Sequence, residues 1–301
     1  MKAIVIHNFG GIDELQLEEV PIPKPGPGQV LVHVRAAGVG PWDALVRTGQ
    51  SGLPQPLPLT PGSDVAGVVE GTGEEIFGVT NPSFTGGYAE YALASKDSIA
   101  TKPSSLSFVE AASAPVVAVT AWQMLFDHAK IGRGQSVLVQ GAAGNVGGYV
   151  VALAHWAGAR VIAVADACDA AYLRGLGAEK TIDYHTERFE DEVANVDAVI
   201  DTVGGETQAR SFAVLRRGGI IVSSVSQPSP ELAERYGVRG DYFIVAVERP
   251  QLVRIAQLFE EGVLEADIGV VLPLSDARRA HEMLAGTVIH PRGKIVLDVS
   301  V

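Results

Sequence analysis

A single cysteine, Cys168, stands in the 301 residues of this chain. It excludes an internal disulfide and leaves any zinc site to be assembled from histidine and carboxylates alone. The seven histidines, His7, His33, His128, His155, His185, His281 and His290, show no HExxH or other paired spacing, so each reads as a surface or packed side chain rather than a ligand. Nor does Cys168 read as a nucleophile, because no base lies near it in the sequence. Positive charge is scarce: 23 Lys and Arg against 35 Asp and Glu give a net charge of −12 with no basic cluster, which argues against nucleic acid as a partner. Long apolar runs are missing too. No stretch reaches the length of a membrane span, and MKAIVIHNFGG lacks the apolar core and cleavage site of a secretory signal, so a cytoplasmic protein with no membrane partner is expected.

What remains is the composition of a packed globular chain. Apolar residues make up 47% of it, and a chain of this length buries roughly three quarters of its unfolded surface and favours two domains. The first hundred residues are rich in turns, with PIPKPGPGQ and GLPQPLPLTPGSD between short strand-like runs. In Val30 to Arg35 apolar residues alternate as in a half-buried strand, and further strands are expected at Asp64 to Glu70, Glu75 to Val79 and Tyr88 to Ala94, together a barrel-like β domain. From Ser107 the character changes. Ser107 and Glu110 form a capping-box pattern, and Pro115 precedes a helical stretch, Val116 to His128. Strands near 136–140, 160–165, 197–202, 219–223 and 242–247 then alternate with helical patterns at 146–157, 169–176, 205–215 and 250–261, which argues a parallel, doubly wound sheet. A helix around Asp276 to Ala285 and a strand at Lys294 to Val299 close the chain, and this tail is expected to return to the β domain.

The most informative stretch is VLVQGAAGNVGGYVVALAHWAGARVIAVADA, residues 137–167. A strand runs into Ala142-Ala143-Gly144-Asn145-Val146-Gly147, an A-x-G-x-x-G turn, and a helix leaves it toward a second strand. Small residues at Gly141 to Val146 let backbone amides approach a pyrophosphate, and Gly147 lets helix and strand pack closely. The second strand ends in Ala165-Asp166-Ala167-Cys168-Asp169, with no cation before Arg174. A carboxylate there accepts ribose hydroxyls and repels a 2′-phosphate, so Asp166 favours NADH; capping of the next helix is the competing reading for Asp166 and, more strongly, for Asp169.

With these residues in hand the chain resembles the medium-chain dehydrogenase/reductase superfamily, in its zinc-independent quinone oxidoreductase, or ζ-crystallin-like, branch. The resemblance runs through the whole chain: MKAIVI, PGPGQVLV, AAGVGPWDALVRTG, PGSDVAGVV, GGYAEYALA, PVVAVTAW, VLVQGAAGNVG, LGAEKTIDY, VDAVIDTVGG and RGKIVL. It implies an α/β fold: a doubly wound parallel Rossmann sheet plus a GroES-like (chaperonin-10-like) β-barrel catalytic domain. The catalytic domain would be residues 1–114 and 265–301, around a dinucleotide-binding domain at 115–264. It also implies a homodimer, formed by sheet extension near Tyr242 to Val247.

The zinc ligands of related dehydrogenases correspond to Gly40, Ser63 and Asp64 here, so no zinc is expected. Reduction of a conjugated acceptor, a quinone or an α,β-unsaturated carbonyl, is the chemistry left without a Lewis acid. Many quinone oxidoreductases carry Asn where Gly40 stands. The cofactor is NADPH by family habit and NADH by Asp166. By resemblance Thr120, Val203, Ser223, Ser224, Val225, Phe243, Ile244 and Val245 hold the nicotinamide end, Tyr184 lies by the adenosine phosphate, and Asp169 joins Asp166 at the strand tip. The acceptor pocket is expected between domains, lined by Gly40, Trp42, Asp43, Ser51, Ser63 and Tyr88. Trp42 and Tyr88 are candidates to stack on a flat acceptor. Asp43 reads as a structural acceptor more readily than as an acid, since an acid needs a raised pKa. The alternative class is a dinucleotide-binding redox-sensing or crystallin-like protein with little turnover, which the glycine at position 40 keeps open.

Overall fold

The computed structural model describes residues Met1–Ser300. The chain divides into two compact units, Met1–Val116 with the segment from Ala246 onward, and Val117–Val245. Among the described residues no helix is long and apolar enough to cross a membrane.

In the first unit β1 (Lys2–Val5) pairs antiparallel with β2 (Gln16–Glu19). The main sheet is organised around β3 (Gln29–Val39), long enough to hold three neighbours. It pairs with β4 (Asp64–Val69) on one side, and with β6 (Tyr91–Ser95) and the C-terminal strand on the other. Its burial follows from these neighbours: side chains alternate over Val32 to Arg35 and are all buried over Ala36 to Val39. Beyond β4 lie β5 (Glu75–Val79) and β7 (Ile99–Thr101). Ile4, Val32, Val34, Val65, Ile76 and Leu297 form the core of this unit.

Between β3 and β4 the helix Pro41–Thr48 begins with Gly40 as N-cap and Pro41 at its first position, and Gly49 (φ 73°) ends it in the left-handed region. The helix Phe108–Ala112 starts on the expected capping box: Ser107 Oγ accepts from the Glu110 amide, and Glu110 Oε2 accepts from the Ser107 amide at 2.8 Å. The stretch expected as one helix to His128 is helical over Pro115–Trp122 and continues as a π-turn segment, Gln123–His128.

The second unit is a six-stranded parallel sheet of β8 (Ser136–Gln140), β9 (Arg160–Ala165), β10 (Lys180–Asp183), β11 (Val196–Asp201), β12 (Leu215–Ser223) and β13 (Arg239–Tyr242), in the order 10-9-8-11-12-13. The central strands are apolar on both faces; Leu138, Val164, Val199, Phe212 and Ile221 are in its core. The strand order reverses between β8 and β11, the crevice where open sheets of this kind receive a ligand.

The chain then re-enters the first unit through the helix Arg249–Glu260, β14 (Ile268–Pro273), the helix Ala277–Leu284 and β15 (Lys294–Asp298), which pairs antiparallel with β3. The boundary therefore falls at Ala246 and not at residue 265. Periodicity could not reveal this, because helix Arg249–Glu260 is attached by tertiary contacts: Glu260 accepts from the backbone amide and hydroxyl of Ser104. The strand expected at 242–247 is also displaced. β13 pairs with β12 only as far as Ser223, opposite Tyr242, and ends there. The four-residue edge strand β10 had too little alternation to stand out.

Gly62 shows how tightly the first unit closes on its site. It has φ 85°, and a Cβ there would lie 2.1 Å from Tyr88 Cδ1. Gly62→Ala is expected to lower the melting temperature by ~5 °C or more, through backbone strain and overlap with a buried ring. Gly11→Ala, where a Cβ meets nothing within 4 Å, is the control and should melt as the native chain does in a calorimetric scan.

Candidate active site

In the first unit the residues at the start of helix Pro41–Thr48 converge on buried charge. Asp43 Oδ2 accepts from the Gly40 amide at 2.9 Å and from the Tyr88 hydroxyl at 2.7 Å. Behind it Asp64 Oδ1 accepts from the Val116 amide at 2.9 Å, and Asp64 Oδ2 meets the Lys294 ammonium at 3.3 Å. Burial pushes the Asp43 carboxyl up to about 6, against the opposing pull of Tyr88, the Gly40 amide and Lys294. The same desolvation raises Asp64, which Lys294 offsets in part, and lifts the Tyr88 phenol well above its ordinary value. The raised pKa that an acid role for Asp43 requires is therefore present.

Gly40 is half-buried, and the space beside it is not empty. A Cβ on Gly40 would stand 3.3 Å from Lys294 Nζ, so the ammonium fills the room that a side chain at this position would enter.

Of the six residues expected to line an acceptor pocket, the structure joins Gly40, Asp43 and Tyr88 directly. Tyr88 is not a stacking surface. It is 0% exposed, with Gly62 against its ring and His281 edge-on at 6.0 Å. Trp42 stays half-buried, edge-on to Phe84 at 5.6 Å. Ser51 is buried elsewhere: its hydroxyl donates to Gln55 Oε1 at 3.1 Å, and Gln55 reaches the Ser83 carbonyl at 3.0 Å. Ser63 is buried too, and its carbonyl accepts from the Thr80 amide. A groove of about 550 Å³ is lined by Gln55, Ser83, Thr85 and Tyr91 but by none of the six.

His281 is one of the histidines expected to be surface or packed, and the structure packs it here; Arg47 carried no signal in the sequence. His281 is 1% exposed, neither ring nitrogen has a partner, and burial with Arg47 nearby lowers its pKa to about 4. Lys294 was visible only as a charged residue opening an apolar strand in RGKIVL.

In the second unit Gly147 behaves as the motif requires: a Cβ there would lie 2.2 Å from the Gly141 carbonyl and 2.7 Å from Ala142 Cα. The Ala142 amide is committed to the Val164 carbonyl and the Gly144 amide to the Gly141 carbonyl. That leaves the amides of Ala143, Asn145 and Val146, at the start of the twelve-residue helix Asn145–Trp156, as donors for a phosphate.

At the tip of β9, Asp166 is the N-cap of the turn Ala167–Asp169 and accepts from the Cys168 amide at 2.8 Å, which holds its pKa low. Asp169 makes no capping hydrogen bond, so the cap falls to Asp166 instead. The other Asp166 oxygen meets His185 Nε2 at 3.1 Å, and His185 packs on Tyr184, which is 57% exposed. His185 was missed because β10 brings it beside β9 only in the folded sheet.

Among the nicotinamide-end candidates Val203 and Val225 are about half exposed, at 49% and 48%. Ser224 is partly exposed, whereas the Ser223 side chain is buried and turned inward to Asp201. Phe243 stacks on His128 at 4.2 Å, Ile244 is exposed, Val245 ends the unit, and Thr120 is buried.

A β unit carrying a buried acid cluster, joined to a doubly wound sheet with an open phosphate loop, defines an alcohol dehydrogenase-like oxidoreductase. Residues 26–104 match the family "Alcohol dehydrogenase GroES-like domain", 176–297 match "Zinc-binding dehydrogenase", and 105–213 match "Glutamate/Leucine/Phenylalanine/Valine dehydrogenase". The chain is 32% identical to a quinone oxidoreductase of Sus scrofa over 97% of its own length and 95% of that protein's. It is 32% identical to a chloroplastic NADPH-dependent alkenal/one oxidoreductase of Arabidopsis thaliana, over 99% of this chain and 79% of the relative. The solved quinone oxidoreductase of Coxiella burnetii superposes with a TM-score of 0.91 at 34% identity, covering 99% of both chains. The chain belongs to the quinone oxidoreductase branch of the medium-chain dehydrogenase/reductase superfamily.

Its residues do not fit the zinc that one matched family's description mentions. Positions 40 and 63 hold Gly and Ser, among the described residues no three His, Cys, Asp or Glu side chains stand together, and an ammonium lies beside Gly40. They do fit a dinucleotide, through the amides of Ala143, Asn145 and Val146 where the small-residue loop opens the helix.

Asp43 and His281 give folding opposite pH dependences. The Asp43 contribution is fully present below its ordinary 3.8 and is lost as pH rises through about 6. The His281 contribution is present above the ordinary 6.5 and is lost as pH falls through about 4. Asp43→Asn should therefore gain stability relative to the native chain as pH rises from 4 to 6, on the order of 1 kcal/mol per pH unit. His281→Phe should do the reverse; calorimetric melts of the three proteins across this range check both signs.

Proposed function

We propose that this protein is an NAD(P)H-dependent oxidoreductase that reduces quinones or α,β-unsaturated carbonyl compounds, without zinc. The observation that carries the reading is the open phosphate loop at the switch point of the sheet, in a chain that matches quinone and alkenal/one oxidoreductases over almost its whole length. A bound reduced nicotinamide would supply the hydride. The amides of Ala143, Asn145 and Val146 would hold its pyrophosphate, and Asp166, Tyr184 and His185 its adenosine end.

The first unit would contribute Gly40, Trp42 and Asp43 to acceptor binding. Trp42 offers an apolar face for a flat acceptor. Asp43, protonated in part near pH 6, is the group suited to release a proton to the reduced acceptor, with Tyr88 holding its carboxyl in place. The negative charge held on Asp166 favours NADH, because a 2′-phosphate there would meet a carboxylate with the His185 imidazole beside it. Pairing of the outer edge of β13 with a second copy would extend the sheet into a homodimer. A cytoplasmic location is part of the same reading.

Initial rates of NADH and NADPH oxidation, with a simple quinone and an enone as acceptors, test it. NADH should give the higher kcat/KM, and Asp166→Ser should shift the ratio toward NADPH by roughly tenfold. A native preference for NADPH that Asp166→Ser leaves unchanged would reduce Asp166 to a cap. Binding of both dinucleotides without turnover would sink the enzyme reading in favour of a binding protein.

A further inference from the structure

Asp201, the last residue of β11, is 0% exposed, and its carboxylate accepts from four neutral donors. Oδ1 accepts from the backbone amides of Val203 at 3.1 Å and Gly204 at 2.9 Å. Oδ2 accepts from Gln208 Nε2 at 2.9 Å and from the Ser223 hydroxyl at 2.7 Å. The partners pass the constraint on. Ser223 Oγ accepts from the amides of Val225 at 3.1 Å and Ser226 at 3.3 Å, and Gln208 Nε2 also reaches the Ser226 carbonyl at 3.0 Å. Next to it Thr202 Oγ1 donates to the Gln140 carbonyl at the end of β8 at 2.8 Å.

One carboxylate thus ties together the loops that leave β11 and β12, on the side of the sheet where its strand order reverses. A buried carboxylate is tolerable only when its lone pairs are met by donors, so these loops are held to the conformation that supplies them. The surface they hold is specific. Val203 and Val225 stand about half exposed at the tips of the two loops, and the loops touch, a Cβ on Gly204 falling 3.0 Å from Val225 Cγ1. Two exposed valines on a rigid backbone suit one face of a flat heteroaromatic ring. β8, which leads into the phosphate loop, pairs with β11, so a dinucleotide held on that loop would extend its far half toward these loops.

We infer that Asp201 is the positioning residue that fixes the Val203 and Val225 loops against the nicotinamide end of a bound dinucleotide. The inference rests on the cofactor reading above and adds the group that sets half of its site. Asp201 touches no cofactor itself; it acts through backbone it holds in place. Asn at this position keeps one acceptor oxygen but sets an amide NH2 against the donors from Gln208 and Ser223, so the loops lose their register while the phosphate loop keeps its own.

The test separates the two ends of the ligand. Binding of NADH and of adenosine 5′-diphosphate, which lacks the nicotinamide end, is measured by calorimetry for the native protein, Asp201→Asn and Ser223→Ala. Asp201→Asn should weaken NADH by roughly tenfold or more and leave ADP within about twofold, and kcat should fall more than the KM of the acceptor changes. Ser223→Ala removes only the link to β12 and should weaken NADH by about threefold with ADP unchanged, which serves if Asp201→Asn does not fold. Equal losses of NADH and ADP, or no loss of either, would overturn the assignment while leaving the cofactor reading intact. A native protein that binds neither ligand would overturn the cofactor reading and this inference with it.

Discussion

A carboxylate carried into the interior has to be met by donors, and in each unit of this protein the functional loops are what meet it. Asp201 draws in two loop amides, a glutamine and a serine at the ends of β11 and β12. Asp43 draws in the Gly40 amide and the Tyr88 hydroxyl at the start of a helix, and Asp64 draws in the Val116 amide and the Lys294 ammonium. Unpaired, each would cost several kcal/mol. The demand for donors is therefore a strong local constraint on backbone that is otherwise loop, and it gives irregular segments a precision their sequence of small residues would not.

The two units satisfy the demand differently. In the sheet unit the charge of Asp201 is dispersed over neutral donors, an arrangement that rigidifies and leaves the surrounding surface apolar. In the β unit the Lys294 ammonium pairs with Asp64, and Asp43 is met by a backbone amide and a phenol. Desolvation outweighs the pull of those donors and of Lys294, and it pushes the Asp43 carboxyl up to about 6. Tyr88 adds a hydrogen bond and bulk: its ring closes against Gly62 and is itself fully buried. His281, buried edge-on to the same ring with no hydrogen bond to either ring nitrogen, is shifted the other way, down to about 4.

Much of the sheet unit was legible beforehand. β8, β9 and the helix between them lie within a residue of where hydrophobic pattern put them, because strands buried on both faces are continuous apolar runs and the loop between is made of small residues. The Ser107 and Glu110 cap was legible for a like reason, since both partners lie within one turn. The site was less so. Tyr88 reads in GGYAEY as an aromatic free to stack, and only the fold turns its hydroxyl onto Asp43, 45 residues away. Gly40 reads as a gap, and only β15 brings Lys294 to fill it.

By itself the sequence determined the alternation of strand and helix in the sheet unit, β10 excepted, the small-residue loop after β8, and the family. All of these are set by local backbone geometry or by residue identity. Tertiary structure alone decided that helix Arg249–Glu260 belongs to the β unit, that His185 stands against Asp166, that Asp201 joins two loops, and that burial pushes the Asp43 carboxyl up to about 6. Each of these depends on what lies within a few ångströms in space, where desolvation and hydrogen bonding act, and separation along the chain carries no record of it.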